Sequence, residues 1–171
     1  LPHALGHGVV EALYIVSDDQ VFSHYGRIVQ RSLQKAGIAF HSFIVPSGES
    51  SKSLQTAHTI YQWLADLRAE RGHSILALGG GVVGDLAGFV AGTYLRGMAL
   101  IQVPTSLTAM VDASIGGKTG VNLREGKNLV GVFHQPRLVL ADVQLLTTMP
   151  DRQGQPHPIS GSGSLRPELL A

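Results

Sequence analysis

Cysteine is absent from the 171 residues. This excludes disulfides and thiolate metal centres and accords with a reducing, cytoplasmic setting. A block of charge of one sign is also lacking. Thirteen Lys and Arg stand against twelve Asp and Glu, for a net charge of +1, so neither nucleic acid nor an anionic membrane finds an electrostatic footprint. No apolar run approaches the roughly 18 charge-free residues of a membrane span, and the start carries no basic segment followed by an apolar one. What remains is a composition that is 44% hydrophobic and 15% charged, suited to one globular core and to small-molecule chemistry.

The most ordered stretch is Ser74 to Tyr94, SILALGGGVVGDLAGFVAGTY. Its apolar run suits a buried parallel strand, and Gly79, Gly80 and Gly81 then permit a sharp turn without a Cβ to obstruct a ligand. A helix beginning there would aim unpaired first-turn amides at an anion such as a pyrophosphate. Gly79, Gly81 and Gly84 satisfy the G-x-G-x-x-G spacing of a dinucleotide fingerprint. The acid that should follow about 20 residues later to hold a ribose is missing, because no Asp or Glu lies between Asp85 and Asp112. Asp85 itself sits where a phosphate would dock, as either a cap or a direct contact. A glycine turn that binds nothing is the plain alternative.

Alternation surrounds this stretch. Ala12 to Val16 reads as a strand ending in Ser17, Asp18 and Asp19; Val21 to Ala36 as a helix stopped by Gly37; Phe40 to Val45 as a strand. The polar turn Pro46 to Ser53 precedes a helix from Leu54 to Leu67, and Met98 to Val103 and Leu138 to Leu140 are further strands. This order predicts an α/β fold: a Rossmann-like, doubly wound, mostly parallel sheet with helices on both faces, binding ligands beyond the carboxyl ends of its strands. The segment from Asp112 to Asn128 interrupts the pattern and reads as loop, too polar for core. Gly117, Lys118 and Thr119 imitate the end of a Walker A loop, but Asp112 stands where its first glycine belongs, which excludes a P-loop. Lys118 and Lys127, on glycine-flanked loops, suit an anionic substrate or are simply solvated. His3 and His7 lack the helix and the third ligand that a metal would need.

The runs GGGVVGDLAGFVAGTYLRG, VPTSLTAMVDASIGGKTGVN and GKNLVGVFHQP closely resemble the 3-dehydroquinate synthase family, within the sugar phosphate cyclases. The turn PSGESSK resembles that family's PxGExxK motif. The likeness spans residues 12 to 152, the NAD-binding half of the family. It implies a lyase of the shikimate pathway that converts 3-deoxy-D-arabino-heptulosonate 7-phosphate to 3-dehydroquinate with release of phosphate. Bound NAD would serve as a temporary hydride acceptor, and a divalent zinc or cobalt ion would polarise substrate oxygens. Carried over residue by residue, Asp18, Glu49 and Lys52 would contact the ribose end of NAD, supplying the acid missing downstream. Gly80, Gly81 and Val82 would face the pyrophosphate, Asp85, Thr105 and Ser106 would hold the nicotinamide side, and Thr148 would be another cofactor contact. Asp112, Lys118, Lys127 and Asn128 would meet the substrate, with Arg96 reaching its phosphate across a homodimer interface. Iron-dependent alcohol dehydrogenases are a more distant likeness.

The expected boundaries are an NAD-binding domain over residues 1–152, lacking the family's first strand, and a Pro/Gly/Ser-rich tail over 153–171. The family's helical domain, with one glutamate and two histidine metal ligands, is not matched. His157 reads as a tail residue and no metal ligands are assigned. The chain alone is therefore expected to bind NAD without turning over, or to be a non-catalytic NAD-binding module or fragment.

Overall fold

The computed structural model describes residues 12–148. His3, His7, His157 and the tail from 153 onward lie outside the described residues.

Strand β1 (Ala12–Asp18) passes directly into helix α1, whose contiguous segments are Asp19–Val21, a π-type turn Phe22–Gly26, and Arg27–Lys35. The Asp18 carboxylate accepts the Val21 amide at 2.8 Å and so caps α1. Gly37, at φ +69°, ends the excursion in a left-handed conformation that glycine adopts without cost. Strand β2 (Ala39–Val45) follows, then a 3-10 turn (Glu49–Ser51), helix α2 (Leu54–Asp66), strand β3 (Ser74–Gly79), helix α3 (Gly81–Thr93) and strand β4 (Ala99–Pro104). Ser53 caps α2, its hydroxyl accepting the Thr56 amide at 3.2 Å.

Strands pair in the order β2-β1-β3-β4-β7, with β7 being Leu138–Val139, and each of these pairings is parallel. Helices cover both faces, as the alternation predicts. Tyr14, Val16, Ile75 and Leu100 pack with Ile60 and Leu64 of α2 and Leu86 and Val90 of α3, whereas Leu13, Ile15, Leu76, Leu78, Ile101 and Val103 pack with Leu33 of α1. Successive strand residues thus feed opposite cores. Among the described residues no helix is long and apolar enough to cross a membrane.

From Lys118 onward the segment read as a polar loop is instead part of an antiparallel hairpin of β5 (Lys118–Leu123) and β6 (Gly126–Phe133). It lies on α3, and Val121 is fully buried in the core beneath it. The physical reason is close packing. A Cβ on Gly88 of α3 would lie 2.4 Å from the Thr119 methyl, and one on Gly120 would lie 2.8 Å from the Val130 carbonyl oxygen. Gly88 permits close contact between helix and strand, and Gly120, in the segment read as loop, permits close contact between strand and strand.

Strand order reverses between β1 and β3. The chain leaves β1 toward β2 on one side and leaves β3 toward β4 on the other. At this switch point the Ser17 hydroxyl donates to the Leu78 carbonyl at 2.7 Å, locking the two carboxyl ends in register. Ligand clefts of open α/β sheets form just beyond such a point.

Candidate functional site

A cavity of about 510 Å³ opens beyond these strand ends, lined by Asp18 and α1, Ser47 and Gly48 after β2, Gly80, Gly81 and Val82 after β3, and Thr105 and Ser106 after β4. It gathers six of the expected cofactor residues: Asp18, Gly80, Gly81, Val82, Thr105 and Ser106. Gly80 is the N-cap of α3, and no side chain caps that end. A Cβ on Gly81 would meet only Ala113 at 3.9 Å. The first-turn amides therefore face open space at the positive end of a 13-residue helix. Sequence reasoning overlooked Ser23, His24 and Tyr25, which the π-type turn of α1 brings to the rim. An extra residue in a helical turn leaves no clear mark on the hydrophobic spacing.

A second cavity, of about 370 Å³, lies between α3 and the hairpin and is lined by Asp85, Lys118, Thr119, Gly120, Asn128 and β6. Lys118 and Asn128, both assigned to the substrate, line one cavity, and Asp85, assigned to the nicotinamide side, lines it with them; Lys118 and Lys127 project from strands, not loops. Asp85 belongs with this charged cavity; it is absent from the lining of the glycine cleft. Its partner is Lys52, whose Nζ donates to Oδ2 at 2.9 Å. Burial pushes the Asp85 carboxyl upward, the Lys52 bond and charge oppose this, and the charges of Glu49 and Asp112 add to the rise. Desolvation prevails because the pair is largely out of water. Asp112, exposed in the π-type turn Ala109–Ala113, acts on Asp85 through this charge and does not line the cavity.

Glu49 and Lys52, both assigned to the ribose, bind each other and the hairpin. Lys52, only 5% exposed, lies 3.4 Å from Glu49 Oε1, and Lys127 approaches the same oxygen at 3.8 Å. Asn122 Nδ2 donates to Glu49 Oε1 at 2.8 Å. That bond, more than the two ammonium charges, holds the Glu49 carboxyl below its ordinary range against the opposing effect of burial. The network carries two carboxylates and two ammonium groups and is balanced internally. Neither Glu49 nor Lys52 lines the glycine cleft.

One expected residue stands apart. Arg96 lies at the amino end of β4, in a separate cavity of about 290 Å³ with Arg71, His134 and Arg137. Arg96 (φ +63°) and Leu95 (φ +50°) are left-handed beside Gly97, so a strained turn presents this guanidinium. His134 Nε2 bonds the Met98 carbonyl at 2.8 Å, fixing β6 to the same edge. Thr148 ends the 3-10 turn Val143–Thr148. Among the described residues no group of three or more His, Cys, Asp and Glu side chains is placed to hold a metal ion.

Against known proteins, the family described as 3-dehydroquinate synthase N-terminal matches residues 42–155. The 3-dehydroquinate synthase of Cyanothece sp. is 54% identical over 143 residues, covering 84% of this chain and 39% of that protein. The enzyme of the same name from Gloeobacter violaceus is 56% identical over 146 residues, covering 85% of this chain and 40% of its own length. Among solved structures, 2-deoxy-scyllo-inosose synthase complexed with carbaglucose-6-phosphate, NAD+ and Co2+ superposes with a TM-score of 0.79 at 36% identity, covering 85% of this chain and 40% of that one. The 2-epi-5-epi-valiolone synthase of Streptomyces hygroscopicus subsp. jinggangensis, with NAD+ and Zn2+ bound, gives 0.78 at 35% identity over 84% of this chain and 40% of that one. An iron-containing alcohol dehydrogenase at 14% identity, with a TM-score of 0.69 over 82% of this chain and 42% of its own, shares the fold alone. The chain spans about two fifths of the length of the curated relatives it matches.

Proposed function

The chain belongs to the 3-dehydroquinate synthase family, and from that premise we propose that it forms the nucleotide half of an NAD-dependent sugar phosphate cyclase site. The observation that carries this reading is the uncapped amino end of α3, opening with Gly80 and Gly81 onto the cleft at the β1/β3 switch point. Those amides would hold the pyrophosphate of NAD. Asp18, with one oxygen engaged in capping α1, would accept a ribose hydroxyl with the other. Thr105 and Ser106 would orient the nicotinamide side. Bound there, NAD supplies a temporary hydride acceptor.

The chain's own residues suit the companion task of holding an anionic substrate. Lys118 and Asn128 border the charged cavity and Lys127 stands beside it; two ammonium groups there would offset phosphate and carboxylate charge. Asp112 would reach a substrate hydroxyl, Glu49 and Lys52 would fix the wall between the two cavities, and Thr148 would add a cofactor contact. The substrate proposed is 3-deoxy-D-arabino-heptulosonate 7-phosphate, giving 3-dehydroquinate and phosphate in the cytoplasm. Arg96, remote from the other site residues within this chain, would serve a second copy across a homodimer interface. The boundaries proposed are residues 1–152 for the nucleotide domain and 153–171 for a separate tail. The described residues do not fit a divalent metal, so no step is routed through one. We propose that residues 1–171 bind NAD without completing the cyclisation.

Phosphate release from the heptulosonate phosphate, assayed with added zinc or cobalt, tests this. No release above background is expected, and robust turnover would contradict it. An alcohol dehydrogenase would instead accumulate NADH when given an alcohol, an outcome this reading excludes.

A further inference from the structure

Asn122, which takes part in three hydrogen bonds, ties the hairpin to the turn that follows β2. It occupies the register shift between Val121 and Leu123, where β5 departs from its pairing with β6. Instead of continuing that ladder, its amide donates to the Lys52 carbonyl at 2.9 Å, and Ser53 and Asn122 form an isolated parallel bridge. Its side chain then works in both directions. Nδ2 donates to Glu49 Oε1 at 2.8 Å, and Oδ1 accepts the amide of Asn128 at 2.9 Å. Asn128 is left-handed, at φ +56°, so this bond also pins a strained residue bordering the charged cavity. Bulges commonly re-aim a side chain in this way.

Resting on the nucleotide-binding reading above, we infer that Asn122 is a positioning residue that fixes Glu49, and with it the turn carrying Ser47 and Gly48, so that NAD affinity depends on the hairpin. Among the described residues, the other groups that approach the Glu49 carboxylate are ammonium ions, not neutral donors. Without Asn122 it is held only by Lys52, which also serves Asp85, and by Lys127, which is largely exposed. The Asn122 bond is also the largest of the influences that hold the Glu49 carboxyl below its ordinary range. An amide bridge does this more selectively than another lysine, because it is directional and leaves the charge balance of the two carboxylates and two ammonium groups unchanged.

The test uses the full chain and calorimetric titration of NAD. Asn122→Ala should weaken NAD binding about tenfold, the scale of one lost hydrogen bond to a charged group, while the same substitution in a Glu49→Ala background should add no further loss. Should the alanine variant fail to fold, Asn122→Asp keeps the shape and the acceptor for Asn128 but replaces the donor to Glu49 with a second carboxylate, and a loss at least as large is expected. In either variant the Glu49 carboxyl, followed by NMR, should titrate at higher pH, with Lys52, Lys127 and Asp85 as the charged groups around it. Unchanged NAD affinity, an equal loss without Glu49, or an unmoved Glu49 titration would overturn the inference alone. A wild-type chain that does not bind NAD would overturn the nucleotide reading and this inference with it.

Discussion

The two cavities on either side of the amino-terminal end of α3 are built from different materials. The cleft at the sheet's switch point is largely a backbone site: glycines, uncapped amides and the hydroxyls of Thr105 and Ser106, with Asp18 at one edge. The cavity under the hairpin is a side-chain site, where Asp85, Lys118 and Asn128 stand beside the Lys52–Glu49–Lys127 network. Each piece of the backbone site is shaped by a local turn, and the parallel sheet assembles pieces as distant as Asp18 and Ser106. A side-chain site must bring together residues up to 73 positions apart, as the Asn122 bond to Glu49 does, and so depends on tertiary packing throughout.

The difference predicts how each can be broken. The largest effect should follow Lys52→Met, which leaves Asp85 buried without its ammonium partner; a loss of about 3 kcal/mol is expected, since removing one member of a buried pair strands the other charge. Urea denaturation at neutral pH measures it, and Lys52→Met combined with Asp85→Leu should recover most of the loss. Next, Gly88→Ala should cost about 2 kcal/mol by overpacking. Its new methyl would meet the Thr119 side chain at 2.4 Å, and Thr119 is fixed by its hydroxyl bond to the Val132 carbonyl at 2.6 Å. Thermal denaturation should show the loss, and hydrogen exchange should place the loosening in β5 and β6.

A smaller and more selective effect should come from Gly81→Val. Its side chain would enter open cleft space, so NAD affinity should fall about tenfold, the scale of a lost charge-assisted contact, with an unchanged urea midpoint. The smallest effect concerns pH. The Glu49 carboxyl is lowered from its ordinary 4.5, so the stability it contributes is present above that value and is lost as pH falls through its folded pKa. Because Glu49 is 40% exposed, water screens the contribution. The stability gap between wild type and Glu49→Gln should therefore be slight at neutral pH and close on acidification. Asp85, raised by burial, has the opposite sign: its protonation favours the folded state as pH falls through that raised value.

The same contrast explains what could be read from the residues in order. Gly79 to Gly81 after an apolar run marked the cleft, because a turn and a helix start are encoded within a few positions. Asp18, Thr105 and Ser106 were named through the family resemblance, and they line the cleft because they stand at or just beyond the ends of their strands. The hairpin was not legible, since glycine is ambiguous: in Gly120 and Gly131 it allows strand backbones to approach, yet in sequence it reads as loop. With the hairpin hidden, the shift of Asp85 toward Lys118 and the bridging by Asn122 were hidden as well. Arg96 was legible as a motif residue, but its separation from the other site residues required the topology, which places the start of β4 at the opposite end of the sheet.

The most direct test of the account is an NAD titration of the isotopically labelled chain followed by amide NMR. Saturable shifts are predicted at Gly80, Gly81, Val82, Thr105 and Ser106, with residues of the Arg71, Arg96 and Arg137 cavity unmoved. Unmoved amides at Gly80 to Val82, or shifts gathered around Arg96 instead, would contradict a nucleotide site at the switch point.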